Sequence, residues 1–158
     1  MHRFVKNVSW ADRCGRPAGI PYSRPKGVKA AGVLYEKAVA KALDSVAKHG
    51  QWWAFRDANG PGHCQTDILI ETPSWIAVVE CKLTWREQAE SQLNHLYLPV
   101  VRMATGKPVI GVVICKNLTR YSPTPHGDLQ TALKAGLRGG VLGLVHWIGA
   151  GPLVPGLR

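Results

Sequence analysis

The chain has 158 residues, enough to bury one hydrophobic core and too few for two, so one active site is expected. Apolar residues at 46% and charged residues at 19% exclude a disordered chain, and no apolar stretch reaches the ~20 residues needed to cross a bilayer. Twenty lysines and arginines stand against ten acids, and the +10 balance makes a polyanion, nucleic acid first, the expected partner.

Residues 1–28 carry Arg3, Lys6, Arg13, Arg16, Arg24 and Lys26, opposed by Asp12, and are broken up by glycines and prolines. They read as a basic arm without a regular element, parts of which dock on the body through Trp10, Ile20 and Tyr22. The arm has no apolar run behind its basic residues, so a secretory signal is not expected here. Cys14, Cys64, Cys81 and Cys115 are widely spaced, with no C-x-x-C pair, which suggests neither zinc nor redox chemistry. Free thiols in a soluble, cytoplasmic protein are expected.

A single domain is expected over residues 29–148. From 29 to about 49, Val33, Leu34, Val39, Ala42, Leu43 and Val46 fall at helical spacing, with Gly50 placed to cap the end. Strand-like runs follow at 51–56, 65–71 and 75–83, the last two joined by the turn Thr72-Pro73-Ser74, and together they read as a meander. A second helix is expected over 86–103, with Pro99 kinking its end, then a buried strand at 109–115. A polar loop at 116–127 leads to a short helix near 128–137 and a last strand at 141–148. This order describes an α/β or α+β fold with a central sheet flanked by helices. Residues 149–158, with Leu153, Val154 and Leu157, read as a loose tail or an apolar strap for a partner subunit.

The chemistry concentrates in two neighbouring runs. Asp67 precedes Ile68-Leu69-Ile70, and Glu80-Cys81-Lys82 ends the apolar run Ile76-Ala77-Val78-Val79. Side chains alternate along a strand, so Glu80 and Lys82 share one face and Cys81 takes the other. A hairpin would bring Asp67 close to Glu80, and two carboxylates that near favour a cation between them. Carboxylates with a backbone carbonyl, here that of Cys81, and several waters suit Mg²⁺, for which Mn²⁺ would substitute. Lys82 could then orient or help deprotonate a water and face a phosphate.

An acid, a hairpin and E-x-K on the next strand resemble the signature of the PD-(D/E)XK nucleases. Gly32-Val33-Leu34-Tyr35-Glu36 resembles the G-x-x-x-E helix that precedes the sheet in many members, which implies Glu36 as a further catalytic and metal-site residue. The resemblance implies a restriction-endonuclease-like αβββαβ core. Size, basic arm and element order look most like the archaeal-type Holliday junction resolvases, a type some phages also carry, which would place the protein in a host cytoplasm. That likeness implies a homodimer that cuts opposed strands of a four-way DNA junction to leave 5′-phosphate and 3′-hydroxyl ends. In the related RecB-like and phage-exonuclease branch, a Gln and a Tyr four residues later mark the helix after E-x-K. Here Gln92 and Tyr97 stand five apart.

Each residue also has a plainer reading. E-x-K is commonly a surface salt bridge, and Glu36 could pair with Lys29, Lys37 or Lys41. His63, Gln88 and Gln92 are auxiliary candidates whose plainer readings are a loop histidine and an exposed helix face. Trp52, Trp53, Trp75 and Trp85 adjoin apolar runs and read as packing residues. Arg24, Lys26 and Lys29 on one rim, with Lys116 and Arg120 on the other, are candidate phosphate contacts. Two rivals to a junction endonuclease stand: a DNA exonuclease or repair nuclease on the same fold, and a catalytically silent DNA-binding module.

Overall fold

A computed structural model describes residues 3–22 and 24–153. It is a mixed α+β structure built on a five-stranded mixed sheet, as expected for a restriction-endonuclease-like core, with a second, three-stranded sheet beside it.

The arm is not irregular throughout. Trp10–Cys14 forms strand β1, which pairs antiparallel with β3, Trp52–Asp57. β3 pairs in turn with β4, Gly60–Gln65. The period-two alternation that makes β3 a strand buries Trp53, Phe55 and Asp57. β4 reads Gly-Pro-Gly-His-Cys-Gln, too rich in turn formers to be foreseen as a strand, but it lies at a sheet edge where a proline costs no ladder bond. Gly62 is required there, since a Cβ would stand 2.5 Å from the Phe55 ring. Ala11 is the buried residue of β1, while Trp10, Ile20 and Tyr22 stay exposed, so the arm docks through its backbone ladder rather than through those three side chains.

Helix α1, Val28–Leu43, lays Tyr35, Val39 and Leu43 against the larger sheet. It stops six residues short of His49. Val46, expected on the apolar stripe, is exposed, Asp44 turns left-handed at φ 51°, and a 3₁₀ turn over Asp44–Val46 leads into strand β2, Ala47–His49. There the backbone gains hydrogen bonds from β5, Ile68–Glu71. The larger sheet runs β2-β5-β6-β7-β8, with β6 at Ile76–Thr84, β7 at Val109–Asn117 and β8 at Gly143–His146. β2, β5 and β6 are antiparallel neighbours, and β6, β7 and β8 are parallel.

The meander therefore consists of β2, β5 and β6, and the run 51–56 belongs to the other sheet. The run 65–71, expected as one strand, is cut in two. Gln65 ends β4, Ile68 begins β5, and Thr66-Asp67 crosses between the sheets. The fully buried Thr66 accepts from Trp53 Nε1 at 3.1 Å and donates its amide to the Gln51 carbonyl, while the Asp67 carbonyl accepts from the Gly50 N–H at 2.9 Å.

One sheet face is covered by helix α2, Glu87–Gln92, a π-helical turn over Leu93–Tyr97 and helix α3, Leu98–Thr105. The other is covered by α1 and by helix α4, Leu129–Gly139, which Asp128 caps by accepting from the Thr131 N–H. Pro99 has no N–H to give the carbonyl of His95 four residues back. The Val5 N–H of the arm takes that role at 2.8 Å. Leu153 packs into its own chain's core beside Trp147, so it is not a strap for a partner; Val154 and Leu157 lie outside the described residues. No helix among the described residues is long and apolar enough to cross a membrane, and all four cysteines are free thiols.

Candidate active site

Strand alternation sorts β6 as expected. Ile76 and Val78 face α2 and α3, and Ala77, Val79 and Cys81 face α1 and α4, so Glu80 and Lys82 project together on the α2 side. β5 pairs with β6 only from Val79 back to Ile76, which leaves the β6 edge open from Glu80 onward. Asp67 fills that opening: its Oδ2 accepts the Cys81 N–H at 2.9 Å. A residue's N–H and C=O leave a strand on the same edge, so the Cys81 carbonyl projects toward Asp67 as well.

Glu80 is 2% exposed. Its Oε1 meets Lys82 Nζ at 2.8 Å, whereas Oε2 is buried without a hydrogen-bond partner among the described residues. Burial, then the nearby Glu80 and Glu36 carboxylates, push the Asp67 carboxyl well above the usual carboxylate range. Burial also raises Glu80, and Lys82 only partly opposes it. Burial alone would lower Lys82, but the carboxylates of Glu80 and Asp67 raise it, so its ammonium form is favoured. Two carboxyls held close enough to share a proton, with one Glu80 oxygen left without a partner when both are ionised, make a site short of positive charge.

Glu36 approaches from α1 but does not pair with the lysines beside it. Its Oε1 lies 2.6 Å from His49 Nε2. Among the described residues no group of three or more His, Cys, Asp and Glu side chains is gathered so as to hold a metal ion. The donors in place are the carboxylates of Asp67 and Glu80 and the Cys81 carbonyl. That set fits Mg²⁺, which keeps several waters and takes one or two carboxylates, better than it fits zinc, which prefers nitrogen and sulfur.

Two cavities of about 570 Å³ each meet at Asp67 and Lys82, which line both. The first also holds Glu80, His63, Gln92, Tyr97 and Trp52; the second holds Glu36, Cys81, Lys29, Arg86 and Asn117. His63 and Gln92 are thus cleft residues, while Gln88 is exposed on α2 and lines neither cavity. Lys29 sits on the rim; Arg24 and Lys26 are exposed beside Pro25, which lines the second cavity, and Lys116 is exposed next to Asn117. Arg120 is placed apart, its guanidinium held over the Tyr121 ring.

The five-residue spacing of Gln92 and Tyr97 has a structural explanation. The turn between them is π-helical, so an i to i+5 pair occupies the same face that an i to i+4 pair shares on an α-helix, and both residues line the cleft. Sequence reasoning missed Arg86 and placed Trp52 with the packing residues. The signal for Trp52 lay in the alternation of β3, which sends it opposite to the fully buried Trp53.

Comparison with protein-family models finds no match, and no curated protein matches. Among solved structures, the crystal structure of protein VC1899 from Vibrio cholerae is similar over 73% of this chain at 13% identity and a TM-score of 0.41. The chain spans 29% of the length of that protein.

Proposed function

We propose that this protein is a Mg²⁺-dependent DNA nuclease of the PD-(D/E)XK type. The observation that carries this reading is the buried Asp67–Glu80 pair on the open edge of β6, with Glu80 Oε2 unsatisfied and Lys82 beside it. Asp67, Glu80 and the Cys81 carbonyl would hold the ion, with Glu36 reaching it on release from His49. The ion supplies Lewis acidity and a more acidic bound water. Lys82, kept protonated by its carboxylate neighbours, places positive charge where a phosphate would lie. Gln92 and Tyr97 offer an amide and a hydroxyl to the same cavity.

The first substrate reading is branched DNA: symmetric cleavage of a four-way junction by a homodimer, whose two-fold axis would present paired centres to paired strands. The second is a RecB-like or phage-type exonuclease or repair nuclease. It is favoured by the π turn, which restores Gln92 and Tyr97 to one face.

The test is cleavage of an immobile four-way junction beside duplex, flap and single-stranded DNA, in Mg²⁺ or EDTA. Glu80→Gln and Asp67→Asn are expected to lose activity by about 10²-fold or more, the usual scale for removing an electrostatic contributor from an active site. Paired nicks confined to the junction support the resolvase, and cutting that needs ends supports the exonuclease. Tight binding with no cutting in any divalent metal would leave only a silent DNA-binding module.

A further inference from the structure

We propose that Trp52, Arg16 and Tyr22 form a stacking site for one unpaired nucleobase at the mouth of the cleft, a site whose ligand class rests on the nuclease reading. Trp52 begins β3 on the face opposite the buried Trp53 and Phe55, and it lines the same cavity as Asp67, Glu80 and Lys82. The Arg16 guanidinium lies 5.9 Å from the centre of the Trp52 ring and 5.3 Å from that of Tyr22. Arg16 is held there by donating to the carbonyls of Ile20 and Pro21, which fold the arm back on itself at Gly19, where φ is +83°.

Three features make this a ligand site rather than packing. Tyr22 is 89% exposed, so its ring contributes almost nothing to the core. The arginine on the rings adds a cation for the phosphate that accompanies any base. Trp52 itself lies outside the buried core, on the face of β3 turned away from Trp53 and Phe55, which pack into it. A base inside a duplex is stacked on its neighbours and cannot lie in a cavity, so the base that reaches Trp52 from a strand at Lys82 is unpaired. The preferred substrates therefore expose single-stranded DNA beside the cut, as a frayed end, a flap or an opened branch does.

The test is equilibrium binding in EDTA, where metal-dependent cutting is suppressed, of a fluorescein-labelled single strand of about 12 nucleotides, within the usual span of single-strand sites. A duplex of the same length is measured alongside. Trp52→Ala is expected to weaken the single strand about tenfold, the scale of one lost base–aromatic stack, with the duplex changed less than about twofold and Trp52→Phe close to wild type. An abasic site moved along the strand should weaken wild-type binding at one position and leave Trp52→Ala indifferent. Equal losses for single strand and duplex, or a flat abasic scan in wild type, would overturn the site. If Trp52→Ala melts early, Tyr22→Ala and the abasic scan decide, since neither touches the core. Mg²⁺-dependent cutting with a flat scan removes the stacking site and keeps the nuclease; position-dependent binding with no cutting does the reverse.

Discussion

Asp67 and Glu80 are held close together on an edge that the fold could have closed with a longer β5. Both carboxyls are raised, so each is charged at neutral pH only at a cost to the folded state. The sign follows from linkage: an acid whose folded pKa lies above its unfolded value destabilises the native state above that unfolded value, and protonating or neutralising it relieves the cost. Asp67→Asn keeps an acceptor for the Cys81 N–H and removes one charge of the pair. In metal-free buffer at neutral pH it is expected to raise Tm by about 2–4 °C, the shift that ~1 kcal/mol gives a chain of this size, while cleavage in Mg²⁺ falls by about 10²-fold or more. Thermal melts in EDTA check it, and a lower Tm would mean that the carboxylate is there for structure. Glu71 shows the opposite case. It accepts from Arg13 at 2.5 Å and Lys48 at 2.8 Å, its pKa is lowered to about 2, and it ties β1, β2 and β5 together.

At the scale of elements, the helix after β6 is made irregular by one extra residue. The π turn over Leu93–Tyr97 leaves the buried Leu93, Leu96 and Tyr97 facing the sheet and puts the exposed Asn94 and His95 outside. Deleting Asn94 would convert the turn to ordinary α-helix with both flanks still in phase, because a π bulge is an α-helix with a single insertion. The deletion is expected to fold, to melt within about 4 °C of the parent, a ΔΔG of about 1 kcal/mol, and to retain cleavage with Gln92 and the tyrosine now four apart. Melting curves and the junction assay check it; a folded but inactive product would show that the bulge itself sets the site. The helix was legible from its apolar stripe, but the bulge was not, since Pro99 signals a disturbance without saying where the chain absorbs it. β6 and β7 were legible to within a residue or two because they are long and buried. The break at Thr66-Asp67 was hidden, because a chain that leaves one sheet and enters another at once shows no turn residues between. Asp67 was nonetheless placed beside Glu80, because the Thr72-Pro73-Ser74 turn fixed the hairpin register. Glu36 was found on the right helix, but its pairing with His49 was not foreseen, since His49 was expected on that same helix rather than on β2.

Across the whole molecule, the +10 charge is unevenly spent. Glu71 engages Arg13, Lys48 and Lys107, and Asp57 engages Arg3, so those cations hold elements together. Arg24 and Lys26 lead into α1 and Lys29 stands in its first turn, beside the second cavity, and none of the three is in an ion pair among the described residues. Cations left unpaired at a cleft rim, where acids are available elsewhere, suit phosphate contacts better than stability. Removing the arm would not test this, because it would take β1 from its sheet and the Val5 N–H from His95. Charge-neutral substitution does. Each phosphate contact contributes about 0.7–0.9 to the slope of log K against log salt, so Arg24→Gln, Lys26→Gln and Lys29→Gln together are expected to flatten it by about 2–3. Lys134→Gln, exposed on α4, removes one charge away from the cleft and is expected to leave the slope unchanged. Titrations of junction and single-stranded DNA across a salt series in EDTA give both slopes. The same effect per charge from Lys134→Gln, about a third of that of the triple variant, would mean that net charge alone attracts the DNA, and an unaltered slope in the triple variant would move the path of the phosphates to the other rim, at Arg86 and Lys116.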